Sequence, residues 1–219
     1  MSTATSAVRL RRIGPSSAGI MLTPEEFDAL PEEAFDDRYR YQLIRGVLVV
    51  SPVAAAAERG PNDLLGSLLL IYQETQPQGS ALDATLPEQT IPTATNRRRC
   101  DRAIWVGLGR IPDVEKDLPA IVVEFVSSSR RDFLRDYEDK RREYAEAGVV
   151  EYWIIDRFRR IMTVHRNTPG GPAVVVVRES ENYQTDLLPG FVLPLSRLLA
   201  QADLWPPKRR RRPRAGGNP

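Results

Sequence analysis

One stretch, residues 119–156, limits what this chain can fold into more than any other. It reads PAIVVEFVSSSRRDFLRDYEDKRREYAEAGVVEYWIID. An apolar run is followed by a polar corner, an amphipathic segment, a short turn and a second apolar run. Ile121, Val122, Val123, Phe125 and Val126 suit a central strand covered on both faces. Glu124 interrupts them. With a side-chain period of two, it shares a face with Val122 and Val126, so a carboxylate points into apolar surroundings. Burying a bare charge is costly, and a metal ion or a cationic side chain is the usual remedy.

The following helix offers that cation. Phe133, Tyr137, Lys140, Tyr144 and Ala147 recur at spacings of four and three, within an arc of about 80° at helical periodicity. Lys140 stands in the middle of this core-facing stripe, with Asp132 and Asp136 at its edge. Arg135, Arg142 and Glu146 point elsewhere. The pattern aims an ammonium and a strand carboxylate into one seam between helix and sheet. It suits a functional pair, but also a plain buried Glu–Lys pair or a lysine laying its stem over the sheet.

The chain has 219 residues, of which 42% are hydrophobic. That is ample for one core, flanked here by tails. No apolar run approaches membrane-spanning length and no signal-peptide pattern opens the chain, so a soluble, cytoplasmic protein without membrane contact is expected. The lone Cys100 and lone His165 exclude an internal disulfide framework, a cysteine zinc cluster and a His-rich metal centre. His165, in the strand-like segment MTVHR, reads as a surface strand residue. Any metal must be held by oxygen, which selects magnesium or manganese.

The formal net charge of +2 conceals a division. Lys208, Arg209, Arg210, Arg211, Arg212 and Arg214 place six positive charges in the last twelve residues, so the rest of the chain is net negative. The expected organisation is a disordered N-terminal extension over 1–20, a domain over 21–205 and a disordered basic tail over 206–219. Such a tail suits loose attachment to nucleic acid, or a solubilising extension with no partner.

Between the tails, Thr23-Pro24-Glu25-Glu26 reads as a helix start running to about Leu30. Residues 41–50 (YQLIRGVLVV) read as strand, turn and strand. A helix over 58–76 buries Leu64, Leu65, Leu68, Leu69 and Tyr72, and two short strands broken at Pro87 follow. Residues 96–106 (NRRRCDRAIWV) hold a strand entered at Asp101, behind Arg97, Arg98 and Arg99, with Asp101, Ala103 and Trp105 on one face and Arg102, Ile104 and Val106 on the other. Strands over 161–166 and 173–178 and a closing loop and helix over 187–199 complete the domain. An Asp, a Glu and a Lys converging across adjacent strands are the equipment for metal-assisted phosphodiester hydrolysis.

The order YQLIRGVLVVSP, CDRAIWV, PAIVVEFVSSS and DYEDKRREYAEAGVVEYWIID, closed by LPGFVLPLSRLL, resembles the Uma family of endonucleases. That family, of the DUF820 type, lies in the PD-(D/E)xK restriction-endonuclease-like superfamily, and the resemblance spans about residues 23–200. It implies an α/β fold with a central mixed β-sheet flanked by helices, a Mg2+- or Mn2+-dependent endonuclease, and DNA as partner, with a homodimer as a further expectation. Carried over residue by residue, it gives Asp101 and Glu124 as catalytic metal ligands and Lys140 as the catalytic lysine, with Gln42 and Tyr144 as accessory residues. Lys208, Arg209, Arg210, Arg211 and Arg212 would bind nucleic acid.

Departures from the pattern are also visible. Cys100 replaces the usual proline before the aspartate, and Val126 stands where many superfamily members carry the lysine. Gln42 replaces an acid, and Glu58 or a neighbour replaces a histidine. The last two changes weaken the metal site and support a second reading, a nuclease-fold protein that binds nucleic acid or regulates without turnover. A third reading is an interaction module whose Glu–Lys pair is simply core.

Overall fold

The computed structural model describes residues 12–127, 138–168 and 170–205. A short helix, α1 (Pro24–Asp28), precedes the hairpin β1 (Tyr39–Ile44) and β2 (Val47–Pro52) and the long helix α2 (Ala56–Thr75). Then come β3 (Leu82–Pro87), β4 (Thr90–Pro92), β5 (Arg97–Arg99), β6 (Arg102–Val106) and β7 (Ile121–Phe125). Helix α3 (Lys140–Ala147) leads to β8 (Glu151–Asp156), β9 (Ile161–Thr168) and β10 (Gly171–Arg178). The short strands β11 (Asn182–Tyr183) and β12 (Leu193–Pro194) and helix α4 (Leu195–Asp203) follow.

Local chemistry explains several boundaries. Thr23 caps α1 reciprocally: its hydroxyl accepts from the Glu26 N–H at 3.1 Å, and the Glu26 carboxylate accepts from the Thr23 N–H at 2.8 Å. Arg45 and Gly46 both take positive φ (52° and 75°), the conformation of a tight two-residue hairpin turn between β1 and β2. Gly148, at φ 103°, ends α3 in the left-handed region.

Six strands in the order β10-β9-β8-β7-β6-β3 form the central sheet. The β7–β8 pair is parallel and the other neighbours are antiparallel. Alternation along β7 divides the core as its sequence requires. Ile121, Val123 and Phe125 join Leu65 and Leu69 of α2 and Leu198 of α4 on one face. Val122 and Val126 join Tyr144 of α3, Tyr152 and Trp105 on the other. Helices thus flank a mixed central sheet on both sides, as expected. Within α2, Leu65, Leu69 and Tyr72 are buried, while Leu64 and Leu68 are only partly covered.

The strand expected to enter at Asp101 is β6, while Arg97–Arg99 before it form a separate strand, β5, in a different sheet. β5 belongs to a second sheet of order β2-β1-β5-β4, and β6 to the central one. The break lies at Cys100 and Asp101. The Cys100 N–H donates to Gln89 O at 2.9 Å, whereas the Asp101 N–H donates to Val123 O at 3.1 Å. The backbone changes partner between these two residues, and no local propensity announces that change.

A third cluster packs Phe27, Tyr41, Leu43 and Leu48 around Ile13. Residues 12–20 were expected in an extension, yet Ile13 is fully buried and its carbonyl accepts from the Tyr41 hydroxyl at 2.8 Å. Among the described residues, no helix is long and apolar enough to cross a membrane. Asp132, Phe133, Arg135, Asp136, Tyr137 and the tail 206–219 lie outside the described residues.

Candidate active site

The seam inferred from Glu124 and Lys140 is present. Glu124 on β7 and Lys140 at the start of α3 are 5% and 3% exposed, and Lys140 Nζ lies 2.6 Å from Glu124 Oε1. The ammonium also donates to Arg99 O at 3.1 Å, and the Tyr144 hydroxyl donates to Glu124 Oε1 at 3.4 Å. Burial, and then the charge of Glu124, push the Tyr144 phenol well above its usual range, so it stays a protonated donor.

Asp101 sits beside this pair. Arg102 faces Val123 and Ala103 faces Val122 across β6 and β7, and one further step of that register sets Asp101 opposite Glu124. The Asp101 carboxylate is fully engaged: Oδ1 accepts from Arg40 Nη2 and Oδ2 from the Phe125 N–H, both at 2.6 Å. Its backbone carbonyl accepts from Asn62 Nδ2 at 2.8 Å and the Glu88 N–H at 3.0 Å. Arg40 also pairs with Glu88, which in turn lies 3.3 Å from Arg99 Nε. Burial opposes the Arg40 charge, but Asp101 and Glu88 more than offset it and its pKa is raised.

Gln42 and Glu58 neighbour this group. Gln42 Oε1 accepts from the Arg99 N–H at 3.3 Å, the same residue whose carbonyl Lys140 contacts. Glu58, near the start of α2, has its carboxyl pushed up by burial and then by the charge of Asp101. Two acids are therefore crowded together on this side. Cys100, next to Asp101 in the chain, is buried, and burial, then Glu124, keep its thiol protonated. His165 lies elsewhere, on β9, stacked on Tyr152 with ring centroids 6.2 Å apart.

Asp101, Glu124, Lys140, Tyr144 and Gln42 are thus gathered in one region. Lys208, Arg209, Arg210, Arg211 and Arg212 lie outside the described residues. Arg40, Glu88 and Asn62 were not foreseen. Arg40 had a faint signal, since it lies two residues before Gln42 and so shares its face of β1. Nothing local marks Glu88 or Asn62.

The donor chemistry fits a hard divalent cation, because every candidate ligand is oxygen. Asp101 and Glu124 would hold it. Among the described residues, no three acidic, histidine or cysteine side chains form a ready cage; a cationic side chain holds each of the two carboxylates instead. Beside them opens a cleft of about 770 Å³, lined in part by Arg40, Glu88 and Arg99. No feature of the described residues supports the expected pairing of two copies.

No curated protein matches the chain. A solved structure similar to it is described as a "putative nuclease belonging to DUF820 from Anabaena variabilis ATCC 29413". The two share 14% identity over 83% of this chain and 99% of that one, with a TM-score of 0.63, a likeness of fold. The profile of the Uma2 family, described as "Putative restriction endonuclease", matches residues 24–196. Together with the mixed sheet and the gathered Asp, Glu and Lys, that match settles kinship: the chain belongs to the Uma2 family.

Proposed function

We propose that this protein is an endonuclease that hydrolyses phosphodiester bonds of DNA with the help of Mg2+ or Mn2+. The observation that carries this reading is the buried Lys140–Glu124 contact at 2.6 Å, with Asp101 opposite Glu124 and joined through Arg40 to the wall of a wide cleft. A divalent cation between Asp101 and Glu124 would neutralise phosphate charge and acidify water. Lys140, fixed by Glu124 and the Arg99 carbonyl, orients the attacking water and offsets developing negative charge. Tyr144 donates to the same Glu124 oxygen as Lys140 and helps hold that carboxylate in place. The basic tail beyond residue 207 adds affinity for the phosphate backbone without reading sequence.

Purified protein incubated with Mg2+ or Mn2+ and labelled single- or double-stranded DNA tests the reading. Cleavage that disappears with Asp101→Asn and with Glu124→Gln is the expected result. A second reading, a nuclease-fold protein that binds nucleic acid without turnover, draws on Gln42, whose neutral amide accepts from the Arg99 N–H beside the site. Cation-independent DNA binding with no cleavage in either buffer would favour it.

A further inference from the structure

The contacts of Arg40 lead beyond the expected set of residues. Both Asp101 oxygens are occupied, one by the Phe125 N–H and one by the Arg40 guanidinium. The first belongs to the backbone of a central strand and is held by the sheet. The second ends a flexible side chain reaching over from β1. If Asp101 is to accept a divalent cation, the guanidinium is the partner that can leave. Both cannot remain on one carboxylate without strong mutual repulsion at low local dielectric.

Three observations bear on where it would go. Arg40 is imperfectly satisfied where it stands: its Nε is buried and finds no hydrogen-bond partner among the described residues. It has a second anchor in Glu88, whose side chain is about a third exposed. Arg40, Glu88 and Arg99 all line the same cleft, so a guanidinium released from Asp101 stays tethered at the cleft wall. There its planar fork matches a phosphate bidentately.

We infer that Arg40 is an exchange residue: its guanidinium neutralises Asp101 while no cation is bound, and turns to a phosphate of the nucleic acid once a divalent cation binds Asp101. This rests on the reading of Asp101 as a cation ligand. It makes the loaded site and the phosphate-binding surface form together, and it keeps Asp101 paired at all other times. Arg40 thereby couples cation binding to nucleic-acid binding, reciprocally.

Calorimetric titration with Mn2+ alone, on the full chain and its variants, tests the exchange. Arg40→Gln should bind Mn2+ about tenfold more tightly than the unsubstituted protein, the factor carried by about 1.4 kcal/mol of lost competition. Arg40→Lys should fall between them, and Asp101→Asn should not bind. A duplex with cleavage-resistant phosphorothioate linkages supplies the second readout, by fluorescence anisotropy. Arg40→Gln should bind it severalfold more weakly in Mn2+ and equally well without Mn2+.

Unchanged or weaker Mn2+ binding by Arg40→Gln would overturn the inference, as would a loss of duplex affinity that ignores the ion. If Arg40→Gln unfolds because Asp101 is left unpaired, Mn2+ should restore its melting transition more than that of Arg40→Gln/Asp101→Asn. Equal response of the two variants would equally sink it. The nuclease reading fails separately: no cleavage by any protein, with the Mn2+ shift present, removes hydrolysis and leaves the exchange standing.

Discussion

Two buried ion pairs fasten α3 to the sheets, and they are built differently. Arg98 on β5 meets Glu143 as a fork, with Nε to Oε2 and Nη2 to Oε1 both at 2.6 Å, and Arg98 is 0% exposed. Lys140 meets Glu124 through a short single-donor contact and also donates to the Arg99 carbonyl. The arginine fork spends both carboxylate oxygens on one partner, which gives rigidity. A lysine is a point charge with rotatable donors, placed here on the carboxylate that stands opposite Asp101. The first pair is a fastening. The second has the form of a working site, because its charges lie beside another carboxylate and a cleft.

Breaking each pair should separate these roles. The largest effect is expected of Lys140→Ala, with cleavage falling by at least about 100-fold and stability by about 3–5 kcal/mol, since Glu124 is left buried without its cation. Adding Glu124→Gln should recover much of the stability and none of the activity. Urea unfolding beside a cleavage assay reads both, and activity near the original level in Lys140→Ala would erase the distinction between the pairs.

Arg98→Met should cost about 3 kcal/mol, because Glu143 loses its fork. Arg98→Met/Glu143→Leu should regain most of that loss, with cleavage per folded molecule close to the original in both. A fall in activity that outlasts the recovery of stability would make the Arg98 pair part of the site.

Deleting residues 208–219 leaves both pairs untouched and removes six cationic side chains. The slope of log affinity for duplex DNA against log salt should become shallower by about five, with the melting temperature unchanged. Identical salt dependence of the full-length and shortened proteins would remove the tail from the DNA-binding surface.

The smallest change expected is a severalfold rise in Mg2+ affinity with Gln42→Glu, since hard cations are held largely through carboxylate charge. The substitution keeps the acceptor that the Arg99 N–H uses. Combining it with Glu124→Ala should abolish the gain. Unaltered Mg2+ affinity by calorimetry would place residue 42 outside the site and sharpen the Lys140 pair to Asp101 and Glu124 alone.

What the sequence by itself determined is the part of the site built by short-range periodicity. Glu124 faces the Val122 side of β7 because strand side chains alternate, and Lys140 and Tyr144 face it because four residues make roughly one helical turn. Thr23, Gly46 and Gly148 mark the ends of their elements for equally local reasons, through a cap, a hairpin turn and a left-handed residue. The strand entry at Asp101 was legible, but not that Arg97–Arg99 form a strand of a second sheet, since local sequence does not name a strand's hydrogen-bond partner. Nor were the Arg40–Asp101 contact, across 61 positions, or the Asn62 contact, across 39. Those depend on which strand lies beside which, and strand order is set by packing whole faces together, not by the residues at the seam. Tertiary structure alone decided that Asp101 faces a guanidinium, because only the meeting of two sheets brings β1 over the end of β6.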